Sequence, residues 1–206
     1  MTPVARRQPW QLAKELATLD ILSGGIIILG AGIGSPPSDF TAFGMEYKKM
    51  GEKLDEALEV LDLCWKGEIF NFEGKHCQLK DERLLPKPFQ NPRIPILIGG
   101  YWPGNKPFIR RARWDGMMPV SKQCPKPLTI KELRELTSFI KKERIKHNEK
   151  KGELLVQLDI SETHNTQLLS TMNNLGVTWV FFAISPFNKV SIEEIKQTIV
   201  NGHPQL

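Results

Sequence analysis

Residues 24–34 read GGIIILGAGIG, and this stretch decides which fold the sequence can adopt. The run from Ile26 to Leu29 is apolar without polar alternation, which predicts a strand buried on both faces, as in a parallel sheet. Glycines follow at alternate positions, at Gly30, Gly32 and Gly34. They indicate either a dinucleotide-binding turn or another strand end where the backbone approaches a ligand closely.

The residues after the glycines argue against the dinucleotide-binding turn. Such a turn needs a helix that begins on the glycines, so that free N–H groups meet the pyrophosphate. Here Pro36 and Pro37 follow Ser35 at once, and a residue before proline is driven to extended geometry. The acidic residues about twenty positions further on, Glu52 and Asp55, fall inside a predicted helix and not at the end of a second strand.

The rest of the chain alternates between helical and apolar extended patterns. Helices are predicted from Pro9 to Ser23 and near residues 46–65, 103–113, 129–148, 164–175 and 191–200, with Ser191 and Glu194 as a capping box. Strands are predicted near residues 26–33, 94–98, 116–120, 154–160 and 178–184, the last of them buried. This order favours one parallel sheet with right-handed crossovers. Residues 67–92 are predicted to be an irregular insertion, and no linker divides the chain, so we expect a single domain over residues 1–206.

Composition and charge exclude several classes of function. The net charge is +5, and the basic clusters at residues 110–113 and 141–151 are interpreted as solvated helix faces, because no nucleic-acid-binding motif accompanies them. Cys64, Cys77 and Cys124 are far apart and lack the spacing of a zinc site or a disulfide framework. No apolar run has the length of a membrane span, and the start has no signal-peptide pattern. We therefore expect a cytoplasmic protein with no metal, nucleic-acid or membrane partner.

Five short motifs occur in a fixed order along the chain. They are LDILSGG at 19–25, GAGIG at 30–34, DFTAFG at 39–44, PRIPILIGG at 92–100 and RWDG at 113–116. Their combination, from Thr2 to about Pro119, resembles the bacterial luciferase-like family of flavin- and deazaflavin-dependent oxidoreductases. The resemblance implies a (β/α)8 barrel of the TIM-barrel type, whereas composition and periodicity indicate only a parallel α/β protein.

The resemblance implies a cofactor site at the carboxyl ends of the strands. The matching positions are the glycine strand end and the predicted turn after the second strand, that is Gly30, Gly32, Gly34, Gly99, Gly100, Tyr101 and Trp102. Physical reasoning supports the predicted turn, because Pro103 and Pro107 favour a helix start there with free N–H groups for an anion. Lys106 and Arg110 add positive charge nearby.

The resemblance also implies the chemistry. It predicts an FMN-dependent monooxygenase or oxidoreductase acting on a small organic substrate, with a deazaflavin as the alternative cofactor and hydride transfer as the alternative reaction. It allows a homodimer, although no interface stripe is readable in the sequence. No catalytic residue can be named. Asp115 is interpreted as a structural cap, and His76 as a loop residue without a carboxylate partner at useful spacing.

The sequence departs from the family pattern in two respects, and the first of them predicts an incomplete barrel. Five strands are predicted where a barrel has eight, and the match begins where a family member leaves its third strand. Ile33 and Gly51 stand where some relatives carry phosphate-binding arginines. An open sheet would expose edges that favour association. The alternative function is therefore a truncated, inactive remnant that at most binds flavin or a partner subunit.

Overall fold

The computed structural model describes residues 1–104, 109–110, 113–124, 126–147, 152–159, 165–183 and 191–202. The chain forms two compact units, Met1–Leu97 and Ile98–Leu206. Both contain strands of a parallel sheet and helices, as the sequence predicts for the fold class. The single-domain organisation stays a prediction. Among the described residues, no helix is long and apolar enough to cross a membrane.

The first unit combines paired strands, helices and a separate hairpin. Its elements are β1 (Thr2–Pro3), α1 (Pro9–Leu22), β2 (Leu29–Gly32), α2 (Ser38–Thr41), α3 (Met50–Lys66), β3 (Phe70–Glu73), β4 (Gln78–Glu82) and the beginning of β5 (Ile96–Trp102). β1, which the sequence analysis does not predict, pairs in parallel with β2. The Leu29 N–H donates to the Pro95 carbonyl oxygen over 2.8 Å, which joins β2 to the residue just before β5.

The core of the first unit lies between α1 and α3, and both helices are predicted from the sequence. Apolar positions three and four apart form the buried stripe of α3, with Leu54, Leu58 and Leu61 all fully buried. Trp65 ends this stripe, and its Nε1–H donates to the Ala13 carbonyl oxygen over 3.1 Å. Packing of the two stripes therefore also satisfies a buried indole N–H.

A buried carboxylate closes the end of α1. Asp20 has no exposed surface, and its Oδ2 accepts the Gln90 backbone N–H at 2.9 Å while its Oδ1 accepts the Gln90 Nε2–H at 2.7 Å. The same Gln90 amide donates to the Ile27 carbonyl oxygen over 2.8 Å. The Asp20 carbonyl oxygen accepts the Gly25 N–H at 2.8 Å. The Asp20 carboxylate and the Gln90 amide thus join the end of α1 and the residues just after it to a segment 70 positions later.

The second unit carries further strands and helices. Its further elements are β6 (Gly116–Ser121), α4 (Ile130–His147), β7 (Glu153–Asp159), α5 (Thr166–Asn174), β8 (Trp179–Ala183) and α6 (Ile192–Asn201). The strand order is β5-β6-β7-β8, and the β6–β7 and β7–β8 pairs are parallel. The predicted capping box of α6 is confirmed, because the Glu194 N–H donates to Ser191 Oγ and the Ser191 N–H donates to the Glu194 carboxylate.

Two strands are less buried than predicted: the one expected to be buried on both faces, and the last one, expected to be buried. The first is limited to residues 29–32, and Ile26 and Ile28 are 78% and 43% exposed, because Gly24 and Gly25, both at positive φ, turn the chain from α1 before it joins the sheet. In β8, Trp179 and Phe181 are each 52% exposed. Val180 and Phe182, at the alternate positions of β8, pack against the core of the second unit. The continuous apolar run therefore belongs to a strand with one face against the core and one exposed face.

The predicted irregular insertion contains an antiparallel hairpin made of β3 and β4. Its turn is held from α3, because the Glu56 carboxylate accepts the backbone N–H groups of Lys75, His76 and Cys77 at 2.9, 2.8 and 3.1 Å. A partner nineteen or more residues away is not visible in a local sequence pattern. A second difference is that the strand predicted over 94–98 continues to Trp102, so Gly99 and Gly100 lie within β5 and not in a turn. Most of the helix predicted over 103–113 lies outside the described residues.

Replacing Asp20 tests the buried clamp. We expect Asp20→Ala to lower the free energy of unfolding by about 3 kcal/mol, because the Gln90 N–H groups lose a charged acceptor and stay buried. Urea denaturation monitored by circular dichroism measures the change. Thr18→Ala, on the exposed side of the same helix, serves as the control and is expected to change stability by less than about 0.5 kcal/mol. Equal midpoints for the two variants would contradict the role assigned to Asp20.

Candidate cofactor site

The second half of β5 presents one aromatic side chain to each face of the strand. Trp102 is 7% exposed, lies in the core of the second unit, and its ring centroid is 5.8 Å from that of Phe139. Tyr101 points to the opposite face, as strand alternation requires, and is 45% exposed. Gly99 and Gly100 precede it without side chains. The open face at this strand end therefore consists of bare backbone beside an accessible phenol ring.

The end of β6 adds polar groups beside this strand end. The Lys122 N–H donates to the Trp102 carbonyl oxygen over 3.1 Å, so the two carboxyl ends are adjacent. Ser121 is 4% exposed, and its Oγ accepts the Gln123 N–H at 3.0 Å, which shapes the turn that follows. The Lys122 side chain is exposed. Sequence analysis missed Ser121 and Lys122, although a polar Ser-Lys-Gln run directly after an apolar strand is typical of the ligand-binding edge of a parallel sheet.

The glycines of the first unit fall into two kinds. Gly30 and Gly32 lie within β2, and the nearest atom to a Cβ on either would belong to the Met1 side chain, at 3.4 Å and 3.9 Å, which is ordinary van der Waals contact. Gly34 lies beyond the strand at a φ of +91°, and a Cβ there would come within 2.8 Å of the Phe40 ring and 2.9 Å of Pro3. Packing therefore requires glycine at position 34, while it leaves room at positions 30 and 32.

His76 has a carboxylate partner after all. Its Nε2 lies 3.2 Å from Glu52 Oε2, and the Lys75 Nζ lies 2.9 Å from the same oxygen. The hydrogen bonds from Lys75 and His76 hold the pKa of Glu52 below its usual value. The expectation that His76 has no such partner is wrong, because the two residues are 24 positions apart and meet only when the hairpin folds back on α3.

Three further candidates are Asp115, the cysteines and Lys106. The Asp115 backbone carbonyl oxygen accepts the Glu153 N–H at 2.9 Å, at the beginning of β7, and the capping role of the Asp115 side chain stays a prediction. Burial raises the pKa of the Cys64 thiol to about 11 and also raises that of Cys77, so both are protonated at neutral pH. Lys106, expected beside the cofactor, lies outside the described residues.

Comparison with known proteins identifies the family of the chain. The sequence model of the family described as luciferase-like monooxygenase matches residues 1–136. An F420-dependent glucose-6-phosphate dehydrogenase from Microbacterium testaceum is 26% identical over 197 residues, which cover 94% of this chain and 56% of that protein. An uncharacterised protein from Mycobacterium bovis is 33% identical over 112 residues, which cover 54% of this chain and 38% of that protein. The chain thus spans about half the length of the curated relatives it matches.

Solved structures show the same fold. The coenzyme F420 dependent tetrahydromethanopterin reductase from Methanopyrus kandleri superposes with a TM-score of 0.73 at 14% identity, over 96% of this chain and 78% of that chain. The oxygenating constituent of 3,6-diketocamphane monooxygenase from Pseudomonas putida, in complex with FMN, gives 0.61 at 18% identity, over 76% and 45%. This likeness supports the incomplete barrel of parallel strands and helices.

The two kinds of glycine can be separated by substitution. We expect Gly34→Ala to lower the free energy of unfolding by about 2–4 kcal/mol, because the new methyl group is strained at positive φ and overlaps Phe40 and Pro3. Gly30→Ala, whose new methyl group meets only a flexible methionine, is expected to cost less than about 1 kcal/mol. Thermal or urea unfolding measures both changes. Similar losses in the two variants would show that the glycines are needed for the same reason.

Proposed function

Because the chain belongs to the luciferase-like monooxygenase family, we propose that it binds a flavin-type cofactor and serves the oxidation or reduction of a small organic substrate. The observation that carries this proposal is the open strand end of the second unit. There Tyr101 exposes its ring on the face away from the core, next to two residues without side chains and to the exposed Lys122.

The residues at this strand end suit the parts of such a cofactor. An exposed phenol ring offers an apolar surface and a hydroxyl to a planar heterocycle. Backbone without side chains, at Gly99 and Gly100, permits a close approach. The Lys122 ammonium is suited to an anionic tail, and the buried Ser121 fixes the turn that carries it. For Trp102 we propose a supporting role, because its indole ring lies in the core.

The cofactor, when bound, supplies hydride transfer in the case of a deazaflavin, and hydride transfer or oxygen activation in the case of FMN. The contribution of the chain is to orient that group and to limit its contact with water. Tyr101 covers one side of the strand end, and the packing of Trp102 against Phe139 keeps β5 rigid beneath it. Ordering these groups before binding lowers the entropy lost on binding.

We propose a deazaflavin as the first choice of cofactor. The relative from Microbacterium testaceum, which aligns with 94% of this chain, and a second one from Amycolatopsis mediterranei, 30% identical over 103 residues, are both named as F420-dependent. FMN, the first expectation from the sequence, is supported by the monooxygenase of Pseudomonas putida and remains the alternative. The inactive remnant that binds flavin or a partner subunit without turnover is the second candidate function, and a homodimer stays a prediction.

Cofactor titration of the purified chain tests the proposal. We expect quenching of cofactor fluorescence on binding, with coenzyme F420 bound more tightly than FMN. Tyr101→Ala is expected to weaken binding about tenfold, since a lost ring contact is worth on the order of 1 kcal/mol. Tyr101→Phe, which keeps the ring, should bind within about threefold of the wild-type chain.

Phe89→Ala is the matched control, because Phe89 is an exposed aromatic residue of the first unit, 68% accessible, outside the candidate site. Equal affinity in Tyr101→Ala and Phe89→Ala would contradict the assignment of the site. The proposed function would be contradicted if neither cofactor binds to the folded chain. The inactive remnant would be favoured if the chain binds the cofactor but shows no turnover. In that case no alcohol, aldehyde or sugar-phosphate donor would reduce the bound cofactor, and the reduced cofactor would consume no oxygen.

A further inference from the structure

A cavity in the first unit is lined by no residue of the candidate cofactor site. Its volume is about 170 Å³. Four segments form its walls: the residues that lead into α1, Met45, the first two turns of α3, and the turn of the β3–β4 hairpin. Nothing in the proposed function uses these residues.

Most of the charged side chains that line the cavity are cationic. Arg6, Arg7 and Lys53 line it, together with His76. Glu56 is the acidic residue of the lining, and both of its carboxylate oxygens are engaged by N–H groups of the hairpin turn. The negative charge of Glu56 therefore holds the backbone of the hairpin turn in place.

The three cations differ in the ion pairs and ring contacts that they form with other residues. Arg7 pairs with Glu15, and the Arg6 guanidinium lies 4.0 Å from Asp39 and 5.2 Å from the centre of the Phe40 ring. Lys53 forms no hydrogen bond or ion pair with any residue in the part of the chain that the structure describes. It is nevertheless half-buried in α3 and lines the cavity.

We propose that this cavity binds a phosphate group, either as free phosphate or as the monoester of a small metabolite. Guanidinium groups match the oxygens of phosphate in geometry, and an ammonium ion beside them supplies a point charge. The amino end of α1 adds to the same field, since its first turn contains no acidic residue. A dianion in the cavity would be attracted by all three cations and could accept hydrogen bonds from the Lys53 ammonium, in addition to the carboxylates of Asp39, Glu15 and Glu46 that these cations already face.

The same contacts predict what binding does to the protein. A phosphate group held by these side chains would connect the entrance of α1 with α3 and with the hairpin turn. A ligand that binds only the folded state raises the unfolding temperature in proportion to the logarithm of its concentration over Kd. Phosphate is therefore expected to stabilise the chain without any flavin present, so this inference stands or falls separately from the proposed function.

The test is a titration of the cofactor-free chain with inorganic phosphate and with glycerol 3-phosphate, at constant ionic strength set with sodium chloride. Isothermal titration calorimetry gives Kd, and thermal unfolding gives stabilisation. Acetate and sulfate titrations control for a general salt effect. We expect saturable binding of at least one phosphate compound, and a rise in unfolding temperature that acetate does not produce. A monoester preferred over inorganic phosphate would identify a metabolite as the source, and equal binding would identify free phosphate.

Lys53→Gln is the decisive variant, because it removes the charge without breaking a hydrogen bond or ion pair in the described part of the chain, and it gives up only a longer-range attraction to Glu46. We expect it to weaken phosphate binding about tenfold, and Lys53→Arg to restore binding to within about threefold of the wild-type chain. Lys48→Gln, an exposed lysine that does not line the cavity, is the matched control and should bind as the wild type does. No saturable binding, or equal affinity in Lys53→Gln and Lys48→Gln, would overturn the inference.

Discussion

The contact between Asp20 and Gln90 is the constraint on which the first unit depends. It ties the end of α1 to a chain segment 70 residues later, and the same glutamine amide binds the Ile27 carbonyl oxygen just before β2. The Leu29 N–H then reaches Pro95, at the start of β5. A buried carboxylate is costly unless its oxygens accept hydrogen bonds. Here the donor is Gln90, which precedes β5 and also binds Ile27, which precedes β2. The groups that satisfy Asp20 therefore also align the segments that lead into these two strands.

Local sequence patterns predict the helices well and the strands less well. The stripe of α3 and the capping box at Ser191 are set by residues three and four apart, so the sequence contains the whole signal. The β3–β4 hairpin depends on Glu56, which lies outside the hairpin, and the exposed faces of Trp179 and Phe181 depend on what packs against β8. Such features follow from tertiary contacts that a local pattern does not record.

The candidate site shows the same division. The motif that ends in Gly99 and Gly100 identifies the strand, but its interpretation as a turn is wrong because the strand runs on to Trp102. Strand alternation then separates the roles of the two aromatic residues, Tyr101 outward and Trp102 in the core. Ser121 and Lys122 belong to no motif, and only the hydrogen bond between Lys122 and Trp102 shows that they adjoin the strand end.

The two proposed sites would act on stability through different elements. Lys53 lies in the first turn of α3, and Trp65 at the other end of the same helix holds α1 through its bond to the Ala13 carbonyl oxygen. An anion bound at Lys53 would therefore strengthen the α1–α3 pair and, through α1, the clamp at Asp20. A cofactor at Tyr101 would instead stabilise β5 and the core around Trp102. Since a ligand suppresses those local openings that would break its contacts, local hydrogen exchange in α3 and in β5 would report the two ligands separately.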